Sequence, residues 1–114
     1  MAYIDGFIVP VPKANLTRYR EWALLAEKIW KEYGALDYKE WVGDDVKPGK
    51  VTSFPQSVNL KDDEVVVFAW AVYESRQQRD EIIEKIIRIR ACRRTRKTGR
   101  SMASAWSSVV LRRW

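Results

Sequence analysis

A chain of 114 residues with 46% apolar side chains is sized for one domain with a real hydrophobic core. It has no histidine and a single cysteine, Cys92, which excludes the commonest general base, Ser-His and Cys-His nucleophile pairs, an internal disulfide and most zinc or iron ligand sets. The net charge of +6 is uneven: residues 1–87 carry 12 Lys and Arg against all 15 acids, whereas residues 88–114 carry nine Lys and Arg and no acid.

No apolar run reaches membrane-spanning length and the N-terminus lacks the basic-then-apolar pattern of a signal peptide, so a soluble cytoplasmic protein with no membrane contact is expected. No metal or cofactor is assigned, and any catalysis falls to carboxylates, Lys, Tyr, Arg or a bound cofactor.

In chain order, Tyr3-Ile-Asp-Gly-Phe-Ile-Val-Pro10 reads as a first strand stopped by Pro10 and Pro12, with Gly6 marking a bulge or a close approach. Asp5 interrupts its apolar run. From Asn15, a candidate N-cap, Leu16, Tyr19, Trp22, Ala23, Ala26, Ile29, Trp30 and Tyr33 recur at three- and four-residue steps, an amphipathic helix that Gly34 ends. Residues 35–42 alternate as a second strand, placing Leu36, Tyr38, Glu40 and Val42 on one side and Asp37, Lys39 and Trp41 on the other. Glu40 therefore shares its side with apolar groups; buried there it is a candidate acid or base, and at a strand end it is simply solvated.

Residues 43–50 are a loop by composition, and residues 51–60 read as an extended edge segment interrupted by Pro55. Ser53 has no histidine partner and is no nucleophile. Glu64-Val-Val-Val-Phe-Ala-Trp-Ala-Val-Tyr73 is the longest β-branched and aromatic run and should be the central strand. Val65, Val67, Ala69, Ala71 and Tyr73 face one way, Val66, Phe68, Trp70 and Val72 the other, and both sets are apolar, so both faces need cover. Ser75-x-x-Gln78 has capping-box spacing and opens a second helix with Ile82, Ile83, Ile86 and Ile87 as its buried stripe and Glu81 with Lys85 as an i,i+4 pair.

The order β-α-β-(extended)-β-α is a split βαβ lacking its last strand, in the α+β class, with both helices on one face of an antiparallel sheet. The other face of the central strand is left apolar. A second copy packed sheet to sheet, a closed homodimer, is the expected cover.

Tyr3-Ile-Asp-Gly-Phe-Ile-Val-Pro-Val-Pro12, Tyr33-Gly-Ala-Leu-Asp-Tyr38, Asp44-Asp45 with Pro48-Gly-Lys-Val-Thr-Ser-Phe-Pro55, and Val66-Val-Phe-Ala-Trp-Ala-Val-Tyr73 followed by Ser75-Arg76 and Arg79-Asp80 resemble the YbaA-like bacterial family, domain of unknown function 1428. The resemblance covers about residues 1–87. It implies a ferredoxin-like βαββαβ subunit, a dimeric α/β barrel and a cytoplasmic bacterial setting, with no activity attached. The wider barrel superfamily includes cofactor-independent oxygenases and isomerase-like enzymes, a likeness of fold alone.

Past residue 87 the family pattern would continue Ile-Ala-Asp-Pro-Arg-Met, whereas this chain reads Ile87-Arg-Ile-Arg-Ala-Cys92. Loss of one G from codons for the family segment yields this reading, and a one-base shift of codons for the family's last strand yields Met102-Ala-Ser-Ala-Trp-Ser-Ser-Val-Val-Leu111. Residues 88–114 are accordingly expected to be out-of-frame sequence replacing the last loop and strand, with residues 1–87 as the domain. Arg88, Arg90, Arg93, Arg94, Arg96, Lys97 and Arg100 taken alone resemble a nucleic-acid or anionic-surface patch, but shifted GC-rich frames also yield arginine, so no nucleic-acid partner is assigned.

The leading functional expectation is a small apolar or aromatic ligand held between sheet and helices, with Tyr38, Trp41, Phe68 and Trp70 as walls and Asp5 or Glu40 as the polar contact. The first rival is a cofactor-independent oxygenase or isomerase using Glu40 or Asp5 as base, with Arg76 or Arg79 stabilising an oxyanion. The second is a structural or regulatory homodimer filled by its own side chains.

Overall fold

The computed structural model describes residues 2–94. Strands β1 (Tyr3–Pro12), β2 (Asp37–Val42) and β3 (Glu64–Tyr73) form one antiparallel sheet in the order β1-β3-β2, so the longest apolar strand is central. A 3₁₀ turn, Lys13–Asn15, leads into helix α1 (Leu16–Glu32); a one-turn helix α2 (Phe54–Ser57) precedes β3, and helix α3 (Arg76–Arg94) follows it. Because β1 and β2 both run antiparallel to β3, they are parallel to each other and joined by α1 across the inserted strand.

The register Asp5↔Ala71↔Tyr38 and Phe7↔Ala69↔Glu40 sorts the side chains into two faces. Ala26 and Trp30 of α1 and Ile82 of α3 close over Tyr38, Ala71 and Tyr73, with Tyr3, Phe7, Ile29, Tyr33, Ile83 and Ile86 around them. Small Ala69 and Ala71 in the middle of β3 let the helices approach, and Val67, Ala71 and Tyr73 are fully buried. The expectation of both helices on one face is met.

Several local expectations are corrected. Pro10 does not stop β1, which runs on through it and ends at Pro12. As β1 is an edge strand and Lys13 N–H donates to Asp63 O at 2.8 Å, the alternate residues Pro10 and Pro12 turn their nitrogens outward, where no ladder bond is lost. Gly6 is not a bulge; it keeps register with Trp70, and an added Cβ would lie 4.0 Å from the Phe68 ring. Asn15 makes no side-chain cap. Residues 51–60 are not extended throughout: Ser53 caps α2 by accepting from Gln56 N–H, and Pro55 sits in the first turn, where its missing N–H costs nothing.

Other ends follow the expected chemistry. Gly34, at φ 106°, closes α1 in a Schellman arrangement, with Ala35 N–H on Trp30 O at 3.0 Å and Gly34 N–H on Lys31 O at 3.1 Å. At α3, Gln78 N–H donates to Ser75 Oγ at 3.1 Å, while the Gln78 side-chain Oε1 accepts from Glu74 N–H at 2.7 Å, one residue earlier than a standard capping box. The Glu81–Lys85 pair does not form: Glu81 accepts from Gln77, and Lys85 lies over the Tyr33 ring. Helix α3 continues to Arg94. Residues 95–114, most of the segment expected to be out of frame, lie outside the described residues. Among the described residues no helix is long and apolar enough to cross a membrane.

Candidate functional site

The candidate residues divide between the two faces of the sheet. Asp5, Tyr38 and Glu40 lie on the helix-covered face and meet residues brought down by α1 and α3. Trp41, Phe68 and Trp70 lie together on the opposite face, so they do not share one chamber with Asp5 or Glu40. Arg79 reaches the sheet, whereas Arg76 stays exposed at the start of α3, 3.8 Å from Asp80.

On the helix-covered face, Arg79 Nε donates to Asp5 Oδ2 at 2.8 Å, with the two side chains only 12% and 13% exposed. The pairing with Asp5, foremost, raises Arg79 further above its ordinary value, so its charge is permanent. Beside them, the buried Trp30 Nε1–H donates to the Tyr73 hydroxyl at 3.0 Å. Burial is the main reason the Tyr73 phenol is pushed up to about 12.

Glu40 sits two residues along β2 from Tyr38, on the same side by strand alternation. Its carboxylate is half-buried and accepts the Tyr19 hydroxyl at 2.5 Å and the Tyr38 hydroxyl at 2.6 Å, one on each oxygen. Desolvation, with the Glu40 charge behind it, raises both phenols, so they act as neutral donors. Tyr38 also packs against Trp30, ring centroids 5.2 Å apart. Glu40 is therefore not the solvated strand-end acid that was the simpler expectation.

Sequence reasoning placed Tyr19 and Trp30 in the helical core stripe and missed their polar ends. A signal was present: a buried phenol or indole needs an acceptor, and Glu40 was one of the acids already assigned to an apolar side.

On the other face, Trp41, Trp70, Phe68 and Phe54 form a continuous row with centroid separations of 5.7, 5.7 and 5.6 Å. Phe54 comes from α2, so the segment after β2 covers part of this face, and Val66 is buried there against Gly43. The rest stays open: Ile4 is 61% and Trp41 54% exposed. Lys39, the one basic side chain this face draws from β2, gives its ammonium instead to Glu27 at 3.1 Å and Asp37 at 3.8 Å.

The family model described as "Protein of unknown function (DUF1428)" matches residues 2–102. "Uncharacterized protein YbaA" of Escherichia coli strain K12 is 42% identical over 87 residues, which is 76% of this chain and 74% of the relative. The proteins of the same name in Escherichia coli O157:H7 and Shigella flexneri have the same identity and coverage.

Proposed function

Starting from a chain that belongs to the DUF1428 family, we propose that it works as a homodimer that binds a small apolar or aromatic ligand, with Trp41, Phe68 and Trp70 as the walls of the binding chamber. The order β1-β3-β2 fits a ferredoxin-like subunit whose fourth strand would lie beside β1. Two such sheets stacked face to face would close an α/β barrel. The relatives are bacterial, and a cytoplasmic setting is part of the same reading.

The observation that carries the proposal is the open aromatic row. Ile4, Trp41 and Phe54 are each more than two-fifths exposed on one surface, and Lys39, which would have kept a neighbour away, is turned aside to α1. Covering the exposed half of each large side chain contributes about 1–2 kcal/mol, enough in sum to support association. A second copy presents the same row, so the contact is self-complementary by symmetry. The ligand moves from the helix side, where the sequence placed it, to the space between the two sheets, because that is where three of the four wall residues point.

Sedimentation equilibrium over a micromolar concentration series tests the assembly: a dimer mass is expected for the parent chain and a monomer mass for Trp70→Asp. A parent chain that stays monomeric at tens of micromolar overturns the reading. Native mass spectrometry of the undenatured protein tests the ligand, which should appear as added mass on the dimer and vanish with Trp70→Asp.

A further inference from the structure

The open face of the sheet is not level from end to end. At the Val66 end, the chain leaving β2 is pressed onto it: Gly43 N–H donates to Val66 O at 2.8 Å, and a Cβ on Gly43 would come within 2.9 Å of the Val66 side chain and 3.1 Å of Val46. The chain returns at Phe54, whose ring stacks on Phe68 at 5.6 Å. Between these anchors the loop is braced on the Gln56 Oε1, which accepts from Gly49 N–H at 3.2 Å and from the Ser53 hydroxyl at 2.8 Å. A Cβ on Gly49 would lie 2.3 Å from Thr52 O, so the turn over residues 49–52 requires glycine. That turn holds out Val51, which is 95% exposed. The opposite end of the face is low: Gly6 has no side chain beside Trp70, and Ile4, two residues before it, is 61% exposed. The face is a wedge, raised at residues 43–54 and shallow at Ile4 and Gly6.

We infer that residues 43–54 form an arm that grips a second copy, Val51 of each copy covering Ile4 of the other, an inference that rests on the dimer proposed above. Two wedges close on each other only when the raised end of one meets the shallow end of the other. The two-fold axis then crosses the strands near the middle of the aromatic row, and the two sheets stack with their strand directions opposed. An axis along the strands would drive the two loops together and leave both Ile4 side chains in water. The two arrangements are far apart in distance: Ile4 pairs with Val72, six residues along β3 from Val66, which is about 20 Å at the rise of a strand. A braced turn that keeps a valine in water gains from a partner that covers it. Each end of the space between the sheets is then closed by a residue from the other copy.

Cross-linking of the full chain, with Cys92→Ser so that only introduced thiols react, tests the arrangement. Chains carrying Ile4→Cys and chains carrying Val51→Cys are treated with a short bismaleimide, each alone and as an exchanged mixture, and sedimentation equilibrium of the untreated samples reads the assembly. Covalent dimer is expected from the mixture and from neither chain alone. Cross-linking of either chain to itself, or a dimer that gives no covalent product in the mixture, overturns the inference and leaves the dimer standing. A monomer by sedimentation overturns both. A second measurement needs no cross-linker: Val51→Asp should weaken the dimer at least about ten-fold, since each arm loses the burial of one valine, and an unchanged dissociation constant overturns the inference.

Discussion

At the scale of single residues, the fold rests its interior polar chemistry on a few pairings that differ in kind. Arg79 and Asp5 form a nearly buried ion pair; Arg79 also holds Asp80 at 2.8 Å, so it is the loss of Arg79 that strands a carboxylate, that of Asp5. Arg79→Ala is expected to destabilise by about 3 kcal/mol or more, read as a lower urea midpoint. The double variant Asp5→Asn with Arg79→Gln should lose less than the sum of the two single changes, which a double-mutant cycle measures. Tyr38→Phe removes one of two donors to a half-buried carboxylate and should cost about 1–3 kcal/mol. The buried phenols also set an alkaline limit. Tyr73 is pushed up to about 12, chiefly by burial, against about 10 in an unfolded chain. Above pH 10 the unfolded chain gives up protons that the folded one retains, so this contribution is intact below pH 10 and lost as pH rises towards 12. Denaturation midpoints measured from pH 9 to 12 should fall over that window, and less steeply in Tyr73→Phe. Strand alternation in the sequence already put Glu40 and Tyr38 on one side, but nothing local to β2 named Tyr19 as the third member.

At the scale of elements, the helix ends carry much of the definition. Gly34 has a positive φ that an L side chain adopts only with strain, and the Schellman bonds of α1 depend on it. Its carbonyl also accepts from the Gln78 side chain at 3.0 Å, linking the α1–β2 turn to the start of α3. Gly34→Ala is therefore expected to cost about 1–2 kcal/mol, against about 1 kcal/mol for Ser75→Ala at the α3 cap; thermal unfolding of both variants checks the order. Both signals, a glycine after an apolar helical stripe and a serine three residues before Gln78, were legible because capping is local. Pro10 of β1 and the residues around Pro55 were misread for the complementary reason. Whether Pro10 and Pro12 break a strand depends on which way their nitrogens face, and that depends on β1 being at the edge. Pro55 reads as a strand breaker until Ser53 is seen capping the turn that contains it.

At the scale of the whole molecule, the open aromatic face is the feature that the fold leaves unfinished. If a second copy covers it, the thermal midpoint should rise with protein concentration, and that dependence should vanish in Phe68→Asp; a midpoint independent of concentration in the parent chain counts against the dimer. The sequence by itself determined which strand is central, which residues share a face, where α1 ends and where α3 begins, because periods of 2 and 3.6 and the capping groups act over a few residues. Only the tertiary structure decided that Tyr19 meets Glu40 across 21 positions and Arg79 meets Asp5 across 74, and that the candidate walls and the candidate acids lie on opposite sides of the sheet. Those meetings depend on how two helices are laid over a sheet, and no short-range pattern of residue types encodes that placement.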